Sequence, residues 1–198
     1  MERARLMHLD PLPSQRVALL AGDDIEVLMP AYTDDFIKSI LRSTKVIAMV
    51  GASGNEMRPS FFAMKYLLAK GFLIHPVNPS LAGKEILGRT VYASLKDVPA
   101  PVDMVDIFRG AEAAPGIVRQ ALAEKDRLGL KTVWMQLSVV SEEAAELARE
   151  AGLNVVMDRC PKIEWGRLSG EIGWMGVSRN VIDNRKPLLY GKGGSLKR

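Results

Sequence analysis

A short run of small residues between an apolar stretch and a helical pattern is the segment best suited to bind phosphate. Gly51, Ser53 and Gly54 follow the apolar stretch, and Arg58 comes just before the helix. Small residues let the backbone approach a pyrophosphate closely, and a helix N-terminus attracts negative charge. Arg58 adds a charge-assisted contact. The pattern predicts a phosphate site, and a tight strand–helix turn without a ligand is the alternative interpretation.

The same run differs from the three-glycine fingerprint of dinucleotide-binding proteins. An NAD site places an acidic residue at the end of the second strand, where this chain has Val77, Asn78 and Pro79. Without a carboxylate there, nothing at this position grips the 2′-hydroxyl of a ribose. The sequence therefore disfavours NAD, while NADP remains open through a nearby base such as Lys84.

The elements that position these residues alternate between strands and helices. Apolar runs predict strands over 46–50, 72–77, 91–92, 104–108, 132–135 and 153–157. Helical spacing predicts helices over 34–42 and 60–70, around 117–122, and from Glu142 to Gly152, with Thr33 and Ser141 as N-caps. This alternation is typical of an α/β fold: a doubly wound parallel sheet in a single three-layer α/β/α domain. Counting 46–50 as strand one, the predicted strand order is 3-2-1-4-5.

Ligands of such sheets bind beyond the carboxyl ends of the strands, where the strand order reverses. Five segments of this chain occupy those positions and should converge on one rim. They are Gly51–Gly54, Asn78–Pro79, Phe108–Arg109, Gln136–Ser138 and Asp158–Cys160.

Length and composition bound the class of protein. The chain has 198 residues, of which 47% are hydrophobic, and a net charge of +4. That length corresponds to about one domain, and the small charge excess does not argue for nucleic acid. No apolar run approaches the roughly 20 residues of a membrane span, and the N-terminus lacks the apolar stretch of a signal peptide. We therefore expect a soluble, cytoplasmic protein with an N-terminal arm (1–32), a nucleotide-binding domain (33–168) and a C-terminal extension (169–198).

Several motifs, taken in order, resemble those of the small bacterial CoA-binding proteins. That family is similar to the nucleotide-binding domain of the succinyl-CoA synthetase α subunit. The resemblance covers roughly residues 33–168, and Ser138 departs from it where a glycine is expected. It implies a Rossmann-like fold that holds coenzyme A or an acyl-CoA. The motifs are Val50–Ser53, Arg58–Ser60, Pro76–Pro79, Glu85–Gly88, Val105–Arg109, Val133–Gln136 and Met157–Cys160.

The resemblance also implies which positions meet the ligand. The residues after the first strand, Gly51, Ser53 and Arg58, would line the pyrophosphate. Asn78 and Pro79, after the second strand, would lie beside the adenosine half, and Lys84 would bind the 3′-phosphate. Those after the fourth would border the adenine or the start of the pantetheine arm, and Gln136 and Cys160 would lie near its distal end. The implied positions are Gly51, Ala52, Ser53, Arg58, Pro59, Asn78, Pro79, Lys84, Phe108, Arg109, Gln136 and Cys160.

Cys160 is the only cysteine of the chain, so an intrachain disulfide and a multi-cysteine metal site are excluded. Beside Arg159 and Lys162, its thiolate could be favoured by positive charge and exchange with CoA disulfide. We favour the alternative, a buried cysteine that only packs. His75, inside a predicted strand, is interpreted as a core or edge histidine, and no metal site is predicted.

Catalysis by this chain alone is not expected. A synthetase of the resembled kind needs a phosphorylated histidine in a second domain and a partner that binds ATP, and the chain leaves no room for that domain. The sequence also shows no Ser/His/Asp set and no paired carboxylates at the rim. We expect a CoA-binding protein without activity of its own, with an oligomer or a protein partner left open. The alternatives are an NAD(P)-dependent oxidoreductase, a nucleotide-sensing regulator, or a subunit of an acyl-CoA ligase.

Overall fold

The computed structural model describes residues 32–169, in which strands and helices alternate. The strands are β1 Val46–Val50, β2 Leu73–Val77, β3 Glu85–Ile86, β4 Arg89–Thr90, β5 Met104–Ile107, β6 Thr132–Met135 and β7 Asn154–Val156. The α-helices are α1 Asp34–Ser43, α2 Pro59–Ala69, α3 Ala114–Ala123, α4 Lys125–Leu128, α5 Glu142–Glu150 and α6 Pro161–Leu168. The predicted arm and extension fall almost entirely on residues outside this range.

Five of the strands form one parallel sheet in the order β2-β1-β5-β6-β7. All neighbours run parallel, and β1 pairs with β2 from Val46–Leu73 to Val50–Val77. The order reverses between β1 and β5, which confirms the predicted doubly wound, Rossmann-like class. If the strands are numbered as in the prediction, the observed order is 2-1-4-5-6. The predicted pairing of strand 2 with 1, of 1 with 4 and of 4 with 5 is therefore confirmed.

The predicted short edge strand over 91–92 does lie beside β2, but it is reduced to a single parallel bridge between Tyr92 and Val77. The N–H and C=O groups of Val91 bond to Lys84 and Gly83 instead of continuing the sheet. An antiparallel hairpin of β3 and β4 lies before it, and the sequence analysis did not predict it. Leu87 and Gly88 form its turn with φ values of 49° and 71°, as a two-residue turn of this kind requires.

The core lies on both faces of the sheet, as the continuous apolar strands predict. On one face, residues such as Ile47, Met49 and Trp134 pack against α1, α2 and α6. On the other, Val105 and Val133 pack against α3 and α5. These layers confirm the predicted three-layer α/β/α arrangement.

Side chains of the predicted type cap two helices. The hydroxyl of Thr33 accepts the N–H of Phe36 at the start of α1, and that of Ser141 accepts the N–H of Ala144 at the start of α5. Helix α6 was not predicted. Its buried face includes Glu164 and Gly166, which do not contribute to an apolar period, so the sequence shows no amphipathic pattern there.

Within residues 32–169, no helix has the length and apolar character needed to cross a membrane. The same range contains no group of three or more His, Cys, Asp or Glu side chains that could hold a metal ion.

Candidate functional site

A cavity of about 750 Å³ opens at the carboxyl ends of the parallel strands. It lies across the point where the strand order reverses, which is where ligands of such sheets bind. The structure brings most of the sequence-predicted site residues to its wall. Those residues are Gly51, Ser53, Arg58, Pro59, Asn78, Phe108, Arg109, Gln136 and Cys160.

Three predicted positions do not line the cavity. Ala52 is fully buried beneath the loop that follows β1. Pro79 is exposed at the start of a short 3-10 turn, and Lys84 is exposed in the segment between that turn and β3. Their predicted roles toward a ligand therefore have no direct support from the cavity wall.

The cavity also includes residues that the sequence analysis missed. Leu137 and Ser138 belong to a rim segment that was predicted, but Lys162 and Ile163 belong to the unpredicted helix α6. These four residues follow the ends of β6 and β7 closely in sequence, and this was the only sequence signal that could have indicated them. The full set of additional wall residues is Ser60, Phe62, Ala63, Gly110, Leu137, Ser138, Val139, Lys162 and Ile163.

Gly51 lets two loops of the rim meet. Its φ is +88°, and a Cβ built on it would lie 2.6 Å from the backbone oxygen of Phe108 and 2.8 Å from Cδ of Arg109. Its N–H donates to the carbonyl of Val77 at 2.9 Å. Only glycine fits both the left-handed backbone and this contact, so the loops after β1, β2 and β5 converge here.

Asn78 joins the loops after β1 and β2. Its side-chain Nδ2 donates to the carbonyl of Ala52 at 2.8 Å, and its Oδ1 accepts the N–H of Ser80 at 3.0 Å. These two hydrogen bonds make Asn78 a structural link in the wall of the cavity.

One end of the cavity is suited to an anion. Arg58 is the N-cap of α2, no side chain caps this helix, and its first turn contains no acidic residue. The positive end of the α2 dipole therefore lies uncompensated beside Arg58. Arg109 and Lys162 also line the cavity, and the wall contributed by residues 32–169 contains no aspartate or glutamate. A phosphate group matches this combination of charge and backbone.

A buried polar pair lies at the β5–β6 side of the cavity. Gln136 follows β6 and lines the cavity, and its Nε2 donates to the Asp106 oxygens at 2.9 and 3.2 Å. Asp106, on β5, is fully buried. Burial raises the pKa of Asp106 to about 7, against the hydrogen bond from Gln136, which lowers it. The sequence signal for Asp106 was a single acidic residue inside an apolar strand.

Ser138 adopts the backbone conformation of the glycine expected at its position. Its φ is 65°, a left-handed value that favours glycine. The N–H of Ser138 donates to Oδ1 of Asp158 at 2.7 Å. This contact with the loop after β7 holds the serine in the loop conformation.

Cys160 lies at the N-cap of α6 and is buried at the wall of the cavity. Burial raises the pKa of its thiol, and the nearby Asp106 raises it further, whereas backbone N–H groups and Lys162 act in the opposite direction. The expectation that positive charge favours the thiolate is therefore not supported, and the geometry favours the packed, neutral cysteine.

We predict that Cys160 forms no adduct with CoA disulfide at pH 7, because only the thiolate attacks a disulfide and burial keeps the thiol protonated. Intact-protein mass spectrometry after incubation checks this, with the same incubation in denaturant as the positive control. A stoichiometric adduct on the folded protein would restore the exchange hypothesis.

Comparison with known protein families decides what kind of domain this is. A family described as CoA binding domain matches residues 45–166, which include the whole sheet and the cavity. The chain belongs to this family. The resemblance drawn from the motifs is confirmed, and the domain is homologous to the CoA-binding domain of ADP-forming acetate–CoA ligases.

Two relatives show how far the similarity extends. The uncharacterized protein YneT of Bacillus subtilis is 39% identical over 127 residues, which are 64% of this chain and 90% of that protein. The ADP-forming acetate–CoA ligase II of Archaeoglobus fulgidus is 34% identical over 107 residues, which are 53% of this chain. Those residues correspond to 16% of the ligase, so the similarity to the enzyme is confined to one of its parts.

Solved structures support the same fold for the CoA-binding domain. A hypothetical protein from Pyrococcus horikoshii is 38% identical, with a TM-score of 0.65, over 77% of this chain and all of that one. A Thermus thermophilus protein, cell-free ID.343, is 36% identical, with a TM-score of 0.64, over 69% of this chain and 99% of that one.

Proposed function

We propose that the cavity binds coenzyme A or an acyl-CoA, with the pyrophosphate at the N-terminus of α2. The observation that carries this proposal is the uncapped start of α2 beside Arg58, in a cavity whose described wall residues include basic ones and no acidic ones. Membership of the CoA binding domain family supports the choice of ligand. CoA supplies the diphosphate that this end of the cavity suits.

The rest of the bound CoA would then extend toward the side of the cavity that the loop after β6 forms. Three apolar residues of the cavity wall, Phe62, Leu137 and Ile163, are exposed by 45%, 50% and 38%. The methyl and methylene groups of a pantetheine arm would cover them, and removing apolar surface from water favours binding. The adenosine half would lie beside Asn78, with the 3′-phosphate toward Lys84.

The arrangement supports binding without catalysis by this chain alone. Burial raises the pKa of the thiol of Cys160, which favours its neutral form, and the carboxylate of Asp106 is engaged with Gln136. An NAD site is not favoured, because the end of β2 offers Asn78, whose amide is bonded to Ala52 and Ser80.

Removing Arg58 tests the phosphate end of the site. We expect Arg58→Ala to weaken CoA binding about tenfold in calorimetry, because a charge-assisted contact at an exposed position contributes about 1.4 kcal/mol. Arg42→Ala removes the same charge from the last turn of α1, outside the cavity wall, and should leave the affinity unchanged. Equal affinities of Arg58→Ala and the unchanged protein would contradict the proposed position of the pyrophosphate.

Lys84→Ala tests the proposed 3′-phosphate contact in the same titrations. The substitution should weaken the binding of CoA and leave that of dephospho-CoA unchanged, since only CoA has the 3′-phosphate. Because Lys84 lies outside the cavity wall, an unchanged CoA affinity would place the 3′-phosphate elsewhere without affecting the rest of the proposal.

A further inference from the structure

Asp106 is the one carboxylate that is fully buried among the residues the structure describes, and it contacts the cavity only through another side chain. Its strand, β5, lies between β1 and β6, and Asp106 is paired in register with Met49 and Trp134. Gln136 lies between Asp106 and the cavity, and is itself only 6% exposed. A side chain in this place acts on a ligand by setting the geometry of Gln136.

The chemistry of the pair determines how the Gln136 amide is oriented. An ionised carboxylate can only accept hydrogen bonds, so it selects the NH₂ end of the amide. Accordingly, Nε2 of Gln136 donates to both oxygens of Asp106. Every buried side-chain nitrogen and oxygen between residues 32 and 169 has a hydrogen-bond partner, and none of these bonds uses Oε1 of Gln136. That oxygen therefore faces the open space of the cavity.

We propose that Asp106 is a positioning residue that holds Oε1 of Gln136 toward the cavity as the acceptor for an amide N–H of the pantetheine arm. This inference rests on the proposed function and names the part of the ligand that the β6 end of the cavity recognises. Ionised phosphates and carboxylates cannot donate to Oε1, so this acceptor does not select them. Pantetheine is uncharged and has two amide N–H groups, so it matches an acceptor at the end of the cavity away from Arg58.

The first test removes the acceptor. Gln136→Met keeps the length of the side chain, and its thioether is only a weak acceptor. At pH 8, we expect this substitution to weaken CoA binding about five- to tenfold, as loss of one hydrogen bond does. Binding of 3′-phospho-ADP, which has the nucleotide of CoA without the pantetheine arm, should not change. An equal loss for both ligands would overturn the proposed contact.

The second test asks whether Asp106 acts through Gln136. Asp106→Leu leaves the amide free to rotate and should weaken CoA binding about threefold in the otherwise unchanged protein. It should have no effect when Gln136→Met is already present, because interacting residues give non-additive changes. The asparagine of Asp106→Asn can still accept a hydrogen bond from Nε2 of Gln136. The CoA affinity of this variant should therefore stay within about twofold of that of the unchanged protein, even if the Gln136 amide occupies both orientations equally.

Additive losses in this cycle would show that Asp106 acts by another route and would overturn the proposal. If a single variant fails to fold, the double variant Asp106→Leu with Gln136→Met remains informative, because replacing both partners of a buried hydrogen bond by apolar groups can be nearly neutral. Its CoA affinity should be five- to tenfold below that of the unchanged protein, with 3′-phospho-ADP unaffected. Failure of the unchanged protein to bind either ligand would instead refute the proposed function.

Discussion

Gly51→Ala is expected to lower the free energy of unfolding by about 3–5 kcal/mol and to abolish CoA binding. The added Cβ would lie 2.6 Å from the carbonyl oxygen of Phe108, at a backbone φ of +88°. Left-handed strain costs about 1–3 kcal/mol, and overpacking against neighbouring atoms adds about 1–3 kcal/mol. Relief of the clash would separate the loops after β1 and β5, which line the cavity where we propose that the phosphate binds.

Urea unfolding and calorimetry with CoA measure the two effects. Gly71→Ala is the matched control, because Gly71 has a φ of +93° with nothing within 4 Å of an added Cβ. It should cost only the backbone strain, about 1–3 kcal/mol, and leave CoA binding intact. If Gly51→Ala destabilised the protein no more than Gly71→Ala, the contact between the loops would not be the reason for glycine at position 51.

The second large effect is a loss of stability as the pH rises, caused by Asp106. Burial raises the pKa of Asp106 from 3.8 to about 7. The folded protein therefore holds a proton that the unfolded chain releases between these values, and the stability from Asp106 is full below pH 4 and lost as the pH rises through 7. The total loss is about 4 kcal/mol, at about 1.4 kcal/mol per unit of pKa.

Asp106→Asn removes the ionisation and keeps an acceptor for Nε2 of Gln136. Between pH 5 and 8, we expect the free energy of unfolding of the unchanged protein to fall relative to the variant by about 2–3 kcal/mol. Burial lowers the pKa of His75, which destabilises the protein toward low pH, but both proteins share this effect and it cancels in the difference. Urea unfolding at several pH values gives the comparison, and parallel curves would mean that Asp106 is ionised throughout this range.

These two predictions concern different parts of the wall of one cavity. Gly51 brings together the loops after β1 and β5, and Asp106 lies beneath Gln136, which follows β6. A ligand with a diphosphate at one end and an amide-bearing arm at the other matches this division. The substitutions should therefore be distinguishable, since Gly51→Ala should affect CoA and 3′-phospho-ADP alike, whereas changes at Gln136 should affect CoA alone.

The sequence by itself determined the fold class and indicated the loop after β1 as the candidate phosphate site. Continuous apolar runs such as Val46–Val50 indicate strands buried on both faces, and their alternation with helices leaves few possible topologies. Gly51 and Arg58 could be predicted as residues of this candidate site, because a strand–turn–helix unit is local in sequence. Helix α6 could not, because its buried face has no apolar period.

Only the tertiary structure decided the environment of individual side chains. Asp106 and Gln136 are 30 residues apart and meet because β5 and β6 are neighbours. Lys84 falls outside the cavity wall, in a segment whose backbone is hydrogen-bonded to Val91. The pKa of Cys160 is raised by burial, not lowered by its basic neighbours in sequence. Burial and long-range contacts depend on how separate elements pack, so spacing along the chain does not determine them.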